Sequence, residues 1–227
     1  MGELGQFDPN RILALLAALL IAITVHEFMH AWTAWRLGDD TARQLGRITL
    51  NPVAHFDPLG FMLFIIIVLV PGAPLLAWGK PVPVNTYRLR PLGQFGRKGS
   101  MAVVAVAGPL SNLVLATIIG VPYVAASERG VAFGNADQFL SAFVLLNIGL
   151  AAFNMIPIPP LDGSKILSAF LPEFWYQRIV PLERYGFGLI FALILADRFL
   201  QAGLISAMIQ PFQALFLRVI LVGGLFS

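Results

Sequence analysis

The residues best suited to chemistry lie in ITVHEFMHAW, positions 23–32, where His26, Glu27 and His30 interrupt an apolar run. His26 and His30 stand four apart, so on a helix they share one face about one turn from each other, the separation at which two imidazoles grip one ion. With Glu27 they spell HEFMH, a match to HExxH. In that pattern the histidines hold zinc through neutral nitrogens, and the adjacent glutamate is the proton acceptor for a water whose pKa the metal lowers to about 7. From Ile12 to Trp35 the only charged residue is Glu27, and a carboxylate at mid-helix costs about 2.5–3.5 kcal/mol even on a lenient insertion scale. Something must compensate it. The bland alternative is that the histidines make interhelical hydrogen bonds while Glu27 lines a polar cavity, as in a transporter.

A catalytic zinc takes a third protein ligand and keeps one position open. Two stretches offer one: NPVAHFDP, residues 51–58, with His55 and Asp57, and NMIPIPPLDG, residues 154–163, with Asp162. Spacing alone does not choose between them.

The elements that must position these groups are membrane helices. With 58% hydrophobic and 12% charged residues and a mean hydropathy of +0.80 over 227 residues, the chain lies far outside the soluble range. Apolar segments at 12–35, 59–78, 101–126, 139–158, 186–200 and 204–222 suggest roughly four to six membrane segments, most near the roughly 20 residues a spanning helix needs. The first lacks a small-residue cleavage site and is expected to be retained. The polar stretches between them are too short for an appended soluble domain of about 100 residues. The chain has no cysteine, which excludes disulfides and thiolate metal sites. Its basic residues flank apolar spans, so the net charge of +3 reflects membrane topology rather than nucleic-acid binding. The expected fold is an all-α polytopic membrane helix bundle with a short β-strand or re-entrant element near the active site. It forms one membrane-embedded domain over 1–227, with a core at about 10–170 and a C-terminal helix pair at about 186–222.

Three motifs together resemble the site-2 protease family of intramembrane zinc metalloproteases, in its compact prokaryotic form without accessory domains. HEFMH fits the family's first motif, AGPLSN at 107–112 its glycine-proline core helix, and NMIPIPPLDG its NxxPxPxLDG. The resemblance implies that His26, His30 and Asp162 bind Zn2+ and that Glu27 is the general base. It also implies that Asn154 positions the scissile peptide or stabilises its oxyanion, and that the substrate is a transmembrane segment of another protein in the lipid bilayer of a prokaryotic cell. Pro157, Pro159 and Pro160 prevent regular helix and let the chain bearing Asp162 turn toward the metal, with Gly163 permitting an unusual turn.

If His26 and Asp162 touch one ion, the first helix and the 139–158 helix end on the same membrane side, and the 101–126 helix starts there. The 59–78 segment then crosses an even number of times. PGAP at 71–74 breaks it near its end, which favours a re-entrant or interfacial excursion over a full span. Arg36, Arg43, Arg47, Lys80, Arg88, Arg90, Arg97, Lys98, Lys165, Arg178 and Arg184 then share one face, which the positive-inside rule makes cytosolic. KPVPVN, residues 80–85, reads as a short edge strand. Pro81 and Pro83 remove donors from one edge, while Lys80, Val82 and Val84 keep theirs on the other, where an unwound substrate segment could add as a strand. The competing classes are a transporter relaying protons or a metal through the same His/Glu cluster, and an inactive scaffold. No inverted repeat supports the first, and the intact Glu27 argues against the second.

Overall fold

The computed structural model describes residues 9–68, 79–134, 136–172, 174, 178, 181 and 185–222. The apolar sequence folds into helices: α1 (Pro9–Arg36), α2 (Thr41–Gln44), α3 (Pro58–Val68), α4 (Gly96–Glu128), α5 (Ala136–Asn154), α6 (Asp162–Phe170), α7 (Gly186–Leu200) and α8 (Leu204–Val222). Among the described residues, α1, α4 and α5 are long and apolar enough to cross a membrane.

α1, α4 and α5 pack against one another pairwise, and α6 leans on α4. Their buried contacts are rich in small side chains, such as Ala18, Ala22, Ala31 and Ala34 on α1, Ala105 and Ala116 on α4, and Ala151 and Ala152 on α5. In lipid, where burial between helices gains little hydrophobic energy, such residues let backbones approach and maximise van der Waals contact. One cavity is lined by His26 and His30 from α1, Met101 and Val104 from α4, and Asn154 from α5. The C-terminal halves of α1 and α5 thus meet the N-terminal half of α4, so α1 and α5 run one way and α4 the other. α8 packs on α5, while Ile190 and Ile194 of α7 close one side of the cavity.

The chain between α1 and α4 leaves this level and returns to it. Asp57 caps α3, its Oδ1 accepting from the Gly60 N–H at 2.9 Å, and Pro58 follows at the first helical position, where its missing N–H costs nothing. α3 has eleven residues, about 16 Å of helix against a hydrocarbon core of about 30 Å. Its Phe64 is buried against Ala18, Leu19, Phe143 and Leu146, alongside the part of α1 that precedes the histidines. By Lys80 the chain is back, its N–H donating to the His55 carbonyl at 2.9 Å. Residues 56–79 are too few for two crossings, which need about 40. The two ends of this segment meet where the Lys80 N–H reaches His55; residues 69–78, including PGAP, lie outside the described residues, as does Arg184.

The expected strand at 80–85 is corrected: no strand occurs among the described residues. A strand needs a ladder partner, and this segment spends its terminal donors elsewhere, Lys80 on His55 and Asn85 on the Asp39 carboxylate at 2.6 Å. The short non-helical element sits beside the cavity, but as an unpaired segment.

Candidate metal centre

His26 and His30 project from one face of α1, and Asp162 opens α6 immediately after the proline-broken stretch that follows α5. All three are buried. His26 Nε2 and His30 Nε2 are 3.0 Å apart, and Asp162 Oδ2 lies 3.2 Å from the first and 3.1 Å from the second. The other nitrogen of each ring fixes its tautomer. His30 Nδ1 is 2.8 Å from the Val104 carbonyl, an oxygen that can only accept, so Nδ1 carries the proton. His26 Nδ1 is 2.6 Å from Asn112 Oδ1. The Asn112 amide nitrogen donates to the Ala22 carbonyl at 3.1 Å and to Asn147 Oδ1 at 2.8 Å, which leaves its Oδ1 as the acceptor for His26. Asn147 is held in turn by donating to the Phe143 carbonyl at 2.8 Å.

Both Nε2 atoms therefore present lone pairs to each other and to a carboxylate oxygen. Asp162 Oδ2 is buried with no hydrogen-bond partner among the described residues. Three facing lone pairs at this spacing repel unless a cation sits among them. A tetrahedral ion with bonds of about 2.0–2.1 Å spaces its ligands by about 3.4 Å, close to the triangle observed. The residues fit a metal ion, and these three form one potential metal-binding group.

Two glycines make the approach possible. A Cβ on Gly108 of α4 would lie 2.3 Å from His30 Nε2 and 2.7 Å from His26 Cε1. A Cβ on Gly163 would lie 2.3 Å from the Met155 carbonyl oxygen and 2.5 Å from that of Ile156. The glycine-proline motif thus lets the α4 backbone touch both imidazoles, and Gly163 lets α6 start against the broken end of α5.

The triangle opens into a cavity of about 350 Å³. Glu27, Val82, Val84, Asn154 and Lys165 line it. Asn154 donates one amide hydrogen to the Leu150 carbonyl at 3.0 Å, leaving its second for the cavity. Lys165 Nζ lies 3.7 Å from Asp162 Oδ1. Burial pushes the Arg47 guanidinium below its ordinary value, with Glu27 acting in the opposite direction.

His55 stands apart. It is buried, its Nε2 donates to the Thr49 carbonyl at 2.8 Å, and it lines a separate small pocket with Ile23, Thr24 and Asp57.

Residues 119–196 match the sequence model of peptidase family M50. The chain is 38% identical over 185 residues to YwhC of Bacillus subtilis, named as a candidate zinc metalloprotease, with 76% of each chain covered. The chain belongs to peptidase family M50. It is also 29% identical over 181 residues to Rip2 of Mycolicibacterium smegmatis, covering 79% of this chain and 66% of that one. It is 29% identical over 188 residues to MJ0611 of Methanocaldococcus jannaschii, covering 81% and 85%. Both carry the same kind of name. No solved structure matches. The family to which the three motifs pointed is thus the right one, and its matched region contains the Asp162 motif and the α7 wall.

Sequence reasoning missed the buried Asn112–Asn147 pair and the role of Val104 as a carbonyl acceptor. The signal for the asparagines was present, since each is a full amide inside an apolar helix, where it needs a partner. Which histidine they served was not readable from positions 86 residues apart.

Proposed function

We propose that this M50 member is a zinc-dependent intramembrane endopeptidase that hydrolyses peptide bonds within or near transmembrane segments of other membrane proteins. The observation carrying this reading is the buried triangle of His26 Nε2, His30 Nε2 and Asp162 Oδ2, with both tautomers set for metal and Glu27 on the same cavity wall. The names of the relatives support zinc as the ion. When bound, zinc supplies Lewis acidity, polarising a carbonyl and lowering the pKa of a water to about 7.

The chain's own residues do the rest. Glu27 takes the proton of the attacking water and returns it to the leaving amine. Asn154 offers its free amide hydrogen to the carbonyl oxygen as charge develops, a donor that brings no charge into a desolvated site. Val82 and Val84 line the cavity, and no hydrogen bond engages their backbone N–H groups among the described residues. They pair with an unwound substrate segment, which exposes the scissile bond otherwise shielded by helical hydrogen bonding. The basic residues around this end of the bundle, from Arg36 and Arg43 to Lys80 and Arg97, orient the cavity toward the cytosol. The whole forms a single membrane-embedded domain in the cell membrane.

The test is cleavage of a transmembrane peptide co-reconstituted in liposomes, with the cut mapped by mass spectrometry. A cut within or beside the apolar segment, lost on chelation and restored by zinc, is expected. An intact peptide in the presence of fully zinc-loaded protein would overturn the proposal.

A further inference from the structure

Arg47 has no part in the chemistry above, yet it is buried to 5% exposure. An arginine serving only as an orientation signal would keep its head in water. Instead its guanidinium reaches both sides of the neck at which the chain excursion between α1 and α4 leaves and returns. Nη1 donates to the Ala54 carbonyl at 2.5 Å on the outgoing side. Nη2 donates to the Lys80 carbonyl and, at 3.3 Å, to that of Pro81 on the returning side. The Lys80 N–H closes the same neck on the His55 carbonyl. Gly79, just before it, runs so close to α1 that a Cβ would lie 2.5 Å from the Ile23 side chain and 3.3 Å from Glu27 Cγ.

The far end of the segment is anchored by a second buried ion from the same connection. Asp39 is fully buried. Its Oδ2 accepts from the Asn85 N–H, while its Oδ1 accepts from the Thr41 N–H at 3.1 Å and the Thr41 hydroxyl at 2.5 Å. The segment is therefore fixed at residues 80–81 and at 85, and Val82 and Val84 between these anchors line the cavity.

We propose that Arg47 is a positioning residue that latches the neck of the excursion and, with Asp39 as the second anchor, holds residues 79–84 as a rigid wall of the cavity. The effect on substrate rests on the reading that Val82 and Val84 face it; the latch itself does not. Lysine cannot replace arginine here, because one ammonium cannot match the planar fork that spans carbonyls on two separate segments. Releasing the latch lets the wall fluctuate, so substrate must order it on binding, which raises KM and leaves the chemical step intact.

The chain has no cysteine, so Val84→Cys supplies a single attachment point for a nitroxide. Its electron paramagnetic resonance spectrum is recorded on zinc-loaded protein in liposomes, with Arg47 intact and in the Arg47→Lys and Arg47→Met backgrounds. Metal content, kcat and KM are measured on the same substitutions without the label. The expected result is an immobilised spectrum with Arg47 and a mobile one in both variants, with stoichiometric zinc, KM raised about tenfold and kcat within about twofold. An immobilised label in both variants overturns the latch whatever happens to cleavage. A mobile label with unchanged KM upholds the latch and refutes the substrate-facing role of 79–84. Loss of zinc or of helical content in both variants overturns the positioning role, since Arg47 would then support the bundle as a whole.

Discussion

Replacing Gly108 with alanine is expected to disable the metal site without touching a ligand. The added Cβ would stand 2.3 Å from His30 Nε2, 2.5 Å from His30 Cε1 and 2.7 Å from His26 Cε1, against an ordinary contact of about 3.5 Å. Relief takes about 1 Å of movement. His30 cannot supply it by rotating without giving up the bond between Nδ1 and the Val104 carbonyl, and α4 cannot back away without disturbing Asn112, which orients His26. Either route spoils a ligand. Disturbing the groups that merely orient ligands costs about 10–100-fold in metal affinity; displacing the ligating nitrogen itself should reach at least the upper end, about 2.8 kcal/mol. Overpacking also costs about 1–3 kcal/mol of fold stability, so helical content is followed in parallel. The assay is zinc competition against a chromophoric chelator in detergent, with Gly149→Ala as control, since a Cβ there meets nothing within 4 Å. The control should bind as the parent does. Parental affinity in folded Gly108→Ala would refute the close approach of α4 to the imidazoles.

Asp162→Asn is expected to weaken zinc binding strongly and abolish cleavage, whereas His55→Ala keeps stoichiometric zinc with at most a partial loss of rate; metal content decides, and the reverse pattern would mean a different third ligand. Asn112→Leu should lower zinc affinity about 10–100-fold, because His26 loses the acceptor that fixes its tautomer, as the same chelator competition measures. Val82→Pro should slow cleavage without loss of metal, because it removes an N–H available to substrate; unchanged rates on several transmembrane substrates would reduce 79–84 to architecture.

HEFMH was legible because its three polar residues are costly inside an apolar helix and stand at helical spacing, two local facts. That Asp162 joins the histidines depended on a motif 132 residues downstream of His30, where chemistry alone left His55 open. The parity of crossings was argued from those ligands, and the Lys80 N–H on the His55 carbonyl brings the two ends of the intervening segment together. The strand at 80–85 was misread because a strand is a relation between two segments, and alternating prolines and valines describe only one. Gly108 was visible as half of a glycine-proline pair, but nothing local says that its absent side chain makes room for two imidazoles. The latch of Arg47 was likewise hidden, since a basic residue in a loop after a span is expected to set orientation and remain in water.

In the proposed mechanism Glu27 acts as the base beside a metal held by other residues. Its most direct test is Glu27→Gln, with zinc content and transmembrane-peptide cleavage measured on one preparation. Stoichiometric zinc and no cleavage are expected, since the ligands survive while the proton acceptor is gone. Cleavage at the parental rate in that variant would contradict it.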